Sequence, residues 1–280
     1  MRVVLALVLA AGSALAQPRR IVSTAPSVTE TLFALGLGDR VVGVSTYCHY
    51  PTQVSKLPRV GTYITPNIET IARLRPDLVI LQKLPNSSAS KLTDLGLPVI
   101  EVDSGNLQQN LDNILAIGKA TQSTAAAARL VGNIRQQLDA LRQSAAKRKP
   151  RSVVFIVGRT PGKLEGLVVV GAGSYLSELL TAAGGANIFA DSSRGYLKTS
   201  LEVIVRRNPD VIIDMGDMAE TTGVTDQHKQ AVVQLWSSQP TLKAIASRTI
   251  FAVASDIFVV PGPRMLDAAQ AFAKLLESAP

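Results

Sequence analysis

The 280-residue sequence has one cysteine, two histidines, one tryptophan and only 4% aromatic residues. A single cysteine, Cys48, excludes an intrachain disulfide framework. The histidines, His49 and His228, come without an HExxH or a paired Cys-x-x-Cys, so no standard zinc site is present. The nucleophile elbow Gly-x-Ser-x-Gly is missing, because Gly171-Ala-Gly-Ser174 has the wrong order. Gly158-Arg-Thr-Pro-Gly-Lys-Leu164 is one residue short of a phosphate loop and lacks the hydroxyl residue that holds magnesium. The turn Thr24-Ala-Pro-Ser27 lacks the glycines of a dinucleotide fingerprint. Carboxylates are numerous, but spacing marks out no acid–base pair. These absences favour a binding protein without a cofactor of its own. An exported enzyme acting on a small molecule, or a sensory binding module, is the weaker reading.

Long apolar runs are also scarce. Only MRVVLALVLAAGSALA at the start qualifies, and it is short of the roughly 20 residues that span a bilayer. One Arg, an apolar stretch and the small-residue end Ala14-Leu15-Ala16 predict a secretory signal covering residues 1–16. No Cys follows it, so lipid anchoring there is not indicated, and a periplasmic protein is expected. Removal of Arg2 with the signal takes the formal charge from +8 to +7. The basic residues are dispersed except in Lys147-Arg-Lys-Pro-Arg151. That cluster reads as a solvated helix end, where cations suit the helix dipole; with export, nucleic acid is not an expected partner.

What is present is a duplication. Asn67-Ile-Glu-Thr-Ile71 followed by Arg75-Pro-Asp-Leu-Val-Ile80 returns as Ser200-Leu-Glu-Val-Ile204 followed by Asn208-Pro-Asp-Val-Ile-Ile213. Each copy places a capping residue two positions before a Glu, then runs a short helix into a Pro-Asp turn and an apolar strand. Glu30-x-Leu32-x-x-x-Gly36 likewise returns as Glu178-x-Leu180-x-x-x-Gly184. The offsets are 178 − 30 = 148 and 202 − 69 = 133, so the first half carries extra residues in the loop holding Tyr47 to Tyr63. One unit used twice predicts two similar lobes.

Alternating strands and helices predict two doubly wound α/β lobes with mostly parallel sheets, joined by one long inter-lobe helix. The expected division is an N-terminal lobe over 17–120, a connecting helix over 121–149 and a C-terminal lobe over 150–280. Ser27-Val-Thr-Glu30 predicts a capping box. Leu130, Ile134, Leu138 and Leu141 line one face of the connector, which Pro150 stops. A helix of roughly 25 residues would be about 37 Å long at 1.5 Å per residue, enough to reach from lobe to lobe. The loop Thr46 to Pro66 is long for a compact domain, and its tyrosines favour a functional loop over a disordered one.

The residues that carry a resemblance are Val41-Val-Gly-Val-Ser-Thr-Tyr47, Tyr50-Pro51, Asn67-Ile-Glu69 and Arg75-Pro-Asp-Leu-Val-Ile80. They resemble periplasmic solute-binding proteins of ABC importers, in the class with a single rigid inter-lobe helix that serves cobalamin, haem and ferric siderophores. Cobalamin receptors are the most similar subgroup. The resemblance implies capture of a metal chelate and delivery to a permease dimer with ATPase subunits, by a monomer. It places Tyr47 at a cleft tyrosine, Tyr63 and Tyr196 where tryptophan is common, and Asp256 at a cleft aspartate. Glu69 and Glu202 match the two glutamates that dock on permease arginines. The Tyr-for-Trp changes and Cys48-His49 depart from that pattern, leaving the chelate open between a corrinoid, haem and a ferric siderophore.

Physical chemistry supports the aromatic set. A corrinoid or porphyrin is a wide, flat, largely apolar disc, and a Tyr covers such a surface while ordering only two torsions. Tyr47, Tyr50, Tyr63 and Tyr196 are four of the five tyrosines and fall on both lobes. Asp256 can accept from ligand amides, and Ser27 and Thr29 lie at a helix N-terminus on the same sheet edge. His49 is a candidate metal ligand, and Cys48 is a weaker one.

Overall fold

Short β-branched runs define the strands of the first lobe in this computed structural model, which describes residues 17–216 and 225–279. The expected signal segment lies outside the described residues. Ile21–Ser23 (β1), Val41–Val44 (β2), Leu78–Gln82 (β3) and Val99–Val102 (β4) pair in the order β2-β1-β3-β4, all parallel. Parallel pairs need crossovers, and Pro26–Ala34 (α1), Ile68–Arg73 (α2) and Ala89–Asp94 (α3) supply them. Leu107–Ala120 (α4) and Thr124–Ala145 (α5) then lead out of the lobe.

The second lobe repeats this order with an insertion. Arg151–Gly158 (β5), Gly185–Asn187 (β7), Val211–Asp214 (β9) and Ile250–Ala252 (β10) run parallel in the order β7-β5-β9-β10. Between β5 and β7 lie Val168–Val170 (β6), antiparallel to β5, and Tyr175–Ala182 (α6). Tyr196–Lys198 (β8) adds antiparallel to β6. Leu201–Arg207 (α7), Asp226–Trp236 (α8), Lys243–Ala246 (α9) and Met265–Ser278 (α10) complete the lobe. No helix among the described residues is long and apolar enough to cross a membrane.

The duplicated motif has a mechanical reason. After α2 and α7 the chain turns through Arg75 and Asn208, both left-handed at φ 45°. Pro then stops the helix, and the next Asp reaches back to the start of the central strand. Asp77 accepts from the Arg19 and Arg20 amides at 2.8 Å each, and Asp210 accepts from the Ser152 amide at 3.0 Å. Pro-Asp thus ends a helix and fixes the register of the strand that follows against its parallel neighbour. The two caps differ in detail. Asn67 accepts from the Thr70 amide, whereas the Ser200 side chain makes no cap bond.

The capping box expected at Ser27 is not formed. α1 starts two residues earlier, at Pro26, with Ala25 at the N-cap and no side-chain cap. Pro at the first helical position has no N–H to leave unpaired. Ser27, Thr29 and Glu30 therefore lie inside the helix, the last two buried.

The connector is not a free-standing rod. At 22 residues α5 is about 33 Å long, but it packs along α4, α6 and α10. Ala127, Val131, Ile134 and Leu138 are buried in one continuous apolar core that runs from Ile21 in β1 to Leu276 in α10. The two lobes share this core, and separate apolar clusters cover the other face of each sheet.

One buried ion pair stiffens the second lobe. Arg159 Nε donates to both oxygens of Asp214, at 3.2 and 3.0 Å, and the only tryptophan, Trp236, donates Nε1 to Asp214 Oδ2 at 2.7 Å. Trp236→Phe removes that donor from a buried carboxylate and puts a smaller ring in the fully buried site. It is expected to lower stability by about 1–3 kcal/mol, read from urea unfolding; an unchanged midpoint would show that the bond contributes nothing.

Candidate functional site

In open parallel sheets, ligands bind in the crevice beyond the carboxyl ends of the strands. Here α1, after β1, and the loop after β2 meet the segment after β10, where Arg264 bonds Glu30 and lies over Tyr50. The loop after β2 is anchored by Cys48 and Val54, buried in the shared core, and by Val60, buried in the separate cluster of the first lobe. Arg59 ties it down by donating to the Ser45 and Cys48 carbonyls at 3.0 and 2.8 Å.

That loop brings the first-lobe tyrosines together. The Tyr47 and Tyr63 rings lie 5.6 Å apart at 57°. Tyr47 and Tyr50 are 50% and 46% exposed, so neither is a core residue. Tyr196, at the start of β8, is 48% exposed on the second lobe. His49 is exposed beside Tyr50; among the described residues no three His, Cys, Asp or Glu side chains gather as a metal site.

Two expected polar contacts, Cys48 and Thr29, are placed otherwise. Cys48 is fully buried between Ser45 Oγ and Thr29 Oγ1, at 3.3 and 3.2 Å, and burial pushes its thiol pKa up. A buried thiol held protonated is no thiolate ligand. Thr29 is fully buried, with its hydroxyl engaged by Ser23, Ala25 and Cys48. Ser27 is half-buried and accepts from Thr31 through its carbonyl.

Asp256 is the larger correction. It lies in a single 3-10 turn, Asp256–Phe258, and is not an unengaged acceptor. Both its oxygens accept from Arg264, at 2.9 and 2.7 Å. The same guanidinium donates Nη2 to buried Glu30 at 2.5 Å, in the other lobe, and lies 4.0 Å over the Tyr50 ring. Burial disfavours the Arg264 charge, but the two carboxylates outweigh it and raise its pKa. Glu30 Oε2 and Arg264 Nε are buried without hydrogen-bond partners. Tyr175, the fifth tyrosine, is buried next to this cluster. Its hydroxyl faces the Phe258 carbonyl at 3.5 Å, and burial raises its pKa well above the usual value, with Tyr196 and Glu30 adding to the shift. The Arg264–Glu30 bond spans 234 residues, and no local pattern announces it; the repeated Glu30/Glu178 motif was the only signal in the sequence.

Burial raises the Glu30 carboxyl pKa above 4.5, and Arg264 opposes this only in part. The folded protein thus holds this proton more tightly than the unfolded chain. The resulting stability is present below the unfolded value and is lost as pH rises through the folded one. Relative to Glu30→Gln, the wild-type protein is expected to gain stability on acidification from its raised folded value down to about 4.5. Urea midpoints at stepped pH measure the difference, and a constant or opposite trend would contradict it.

Glu69 and Glu202 occupy the same place, the second residue of α2 and of α7, and both are exposed. The Ser200 hydroxyl, with the Glu202 amide, holds the Glu202 carboxyl below its usual range. Two cavities lie outside the tyrosine cluster. One of about 500 Å³ sits between the end of α5 and α10, and one of about 370 Å³ between Arg159 and α8. Neither is lined by a tyrosine.

The periplasmic binding protein profile matches residues 21–255. A vitamin B12-binding protein of Vibrio cholerae is 33% identical over 264 residues, covering 92% of this chain and 90% of that protein. The crystal structure of a periplasmic vitamin B12 binding protein of Vibrio cholerae superposes with a TM-score of 0.75 at 31% identity, covering 93% of this chain and 97% of that one. A periplasmic haem-binding protein of Vibrio cholerae gives 0.76 at 27% identity, covering 92% and 98%. Fold and these similarities agree: the chain belongs to the periplasmic binding protein family.

Proposed function

We propose that this protein captures a corrinoid in the periplasm and delivers it to an ABC permease dimer with its ATPase subunits, making and breaking no bond. The observation that carries the reading is the tyrosine set, with Tyr47 and Tyr50 exposed and Tyr63 half-buried against Tyr47 on one lobe, and Tyr196 exposed on the other. Flat aromatic walls suit a flat chelate. The similarity to vitamin B12-binding proteins supports the corrinoid. Glu69 and Glu202 would fix the register on the permease, with ligand held between the lobes of a monomer.

Calorimetric titration of the mature protein with cobalamin, haemin and a ferric siderophore tests this. Cobalamin is expected to bind most tightly; no heat with any of the three would overturn the reading. Haem is the second reading, favoured by exposed His49 in the same loop as Tyr47 and Tyr50. A haem absorbance band that moves in His49→Ala would support it, and haemin binding tighter than cobalamin would replace the corrinoid.

A further inference from the structure

The repeated Glu30/Glu178 motif is not used by the ligand or by the docking rim, yet both members do something the repeat did not announce. Each leaves its own lobe. Glu30, in α1, accepts from Arg264 after β10. Glu178, in α6, accepts at 2.8 Å from the amide of Leu107, the first residue of α4. That amide is one of the donors a helix start leaves without an internal partner, and a carboxylate there also faces the positive end of the helix dipole. Asn106 and Gln109 satisfy each other's amides in a capping box at the same helix start, so Glu178 supplies the partner that box does not. The two bonds cross in opposite directions, first lobe to second and second to first.

We propose that Glu30 and Glu178 are positioning residues that set the width of the cleft, and so the thickness of guest it admits. The apolar layer of α4, α5, α6 and α10 holds the lobes together, but packed helices can slide in small shear steps. Charged, directional bonds fix one register, a role better attested for buried ion pairs than net stabilisation. The Arg264 end of the clamp is also part of the cleft, because the guanidinium lies on Tyr50. Gly262 leaves no room for slack, since a Cβ there would meet Glu30 Oε2 at 2.8 Å. The inference rests on the tyrosine cleft being the binding site for its consequence, but not for the clamp itself.

The test measures the gap without ligand. Spin labels at Leu95→Cys in the first lobe and Val233→Cys in the second, both exposed, are placed on a Cys48→Ser background of the full mature chain. Pulsed electron–electron distance measurement is expected to give one narrow distribution. Glu30→Leu with Glu178→Leu is expected to broaden or displace it. Gln136→Gly with Ala140→Gly, on the exposed face of α5, is expected to leave it narrow. If Glu30→Leu does not fold, Glu178→Leu carries the test alone, since that side chain is only half-buried. A clamp variant that keeps the wild-type distribution overturns the proposal, as does equal broadening by the glycine pair. With a bound chelate, the clamp variant is expected to release it on the order of tenfold faster, since affinity changes within one interface lie mostly in the off-rate. If no chelate binds, only the ligand reading fails and the distance result still decides the clamp.

Discussion

Arg264→Met is expected to lower the unfolding free energy by about 3–5 kcal/mol at neutral pH, the usual cost of removing one partner from a buried pair. The side chain is 15% exposed, and its two acceptors, Glu30 and Asp256, are 3% and 25% exposed. Without the guanidinium, two carboxylates face each other across the lobe junction with no cation between them. Glu30 Oε2 is buried and has no hydrogen-bond partner within the protein. Urea unfolding measures the loss. The informative control is the triple change Glu30→Gln, Asp256→Asn, Arg264→Met, which removes the uncompensated charge together with its source. It is expected to recover most of the lost stability, because replacing a whole buried ionic cluster is often close to neutral. A large loss in the triple variant would mean that Arg264 acts through packing on Tyr50 rather than through charge.

This cluster also shows where sequence reasoning stops. Most strands and both copies of the helix–Pro-Asp–strand unit are local, written in β-branched runs and helix stops within ten or fifteen residues, but β7 (Gly185–Asn187) and β8 (Tyr196–Lys198) hold no β-branched residue and were not read. The strand direction of β6 was not legible. Val168-Val-Val170 looks the same parallel or antiparallel, and only its pairing with β5 and β8 decides. The start of α1 misled because Ser27 and Glu30 have capping-box spacing, while Pro26 fixes the helix start at lower cost. Three of the five tyrosines fall in the loop after β2, where Tyr47 and Tyr63 meet, while Tyr196 begins β8 in the other lobe. Tyr175 was passed over because it starts a helix in an apolar context, and only burial against Phe258 and Glu30 gives it a place. Asp256 looked like an open acceptor, since its partner lies eight residues on, past two prolines, with no periodic spacing to link them.

The second large effect lies outside the cleft. Reversing both rim charges, Glu69→Arg with Glu202→Arg, is expected to abolish uptake while leaving ligand affinity and stability unchanged. Both side chains are solvent-exposed, and neither belongs to the shared core. The helix dipole alone would explain one glutamate at a second helical position, but not the same choice in both lobes. The two copies even support it differently, Asn67 capping its helix directly while Ser200 bonds the Glu202 carboxylate. What they share is an anionic point held at one place on each lobe. Like charges brought together at a docking surface are repelled strongly enough to lower affinity on the order of 100-fold or more. The neutral pair Glu69→Gln with Glu202→Gln is expected to be intermediate, and wild-type docking to weaken with salt, since exposed charges are screened. Uptake in cells lacking their own binding protein, beside calorimetric titration of each variant, separates the roles. Loss of ligand binding in the reversal would move these glutamates from docking into the cleft, and undiminished uptake would remove them from docking altogether.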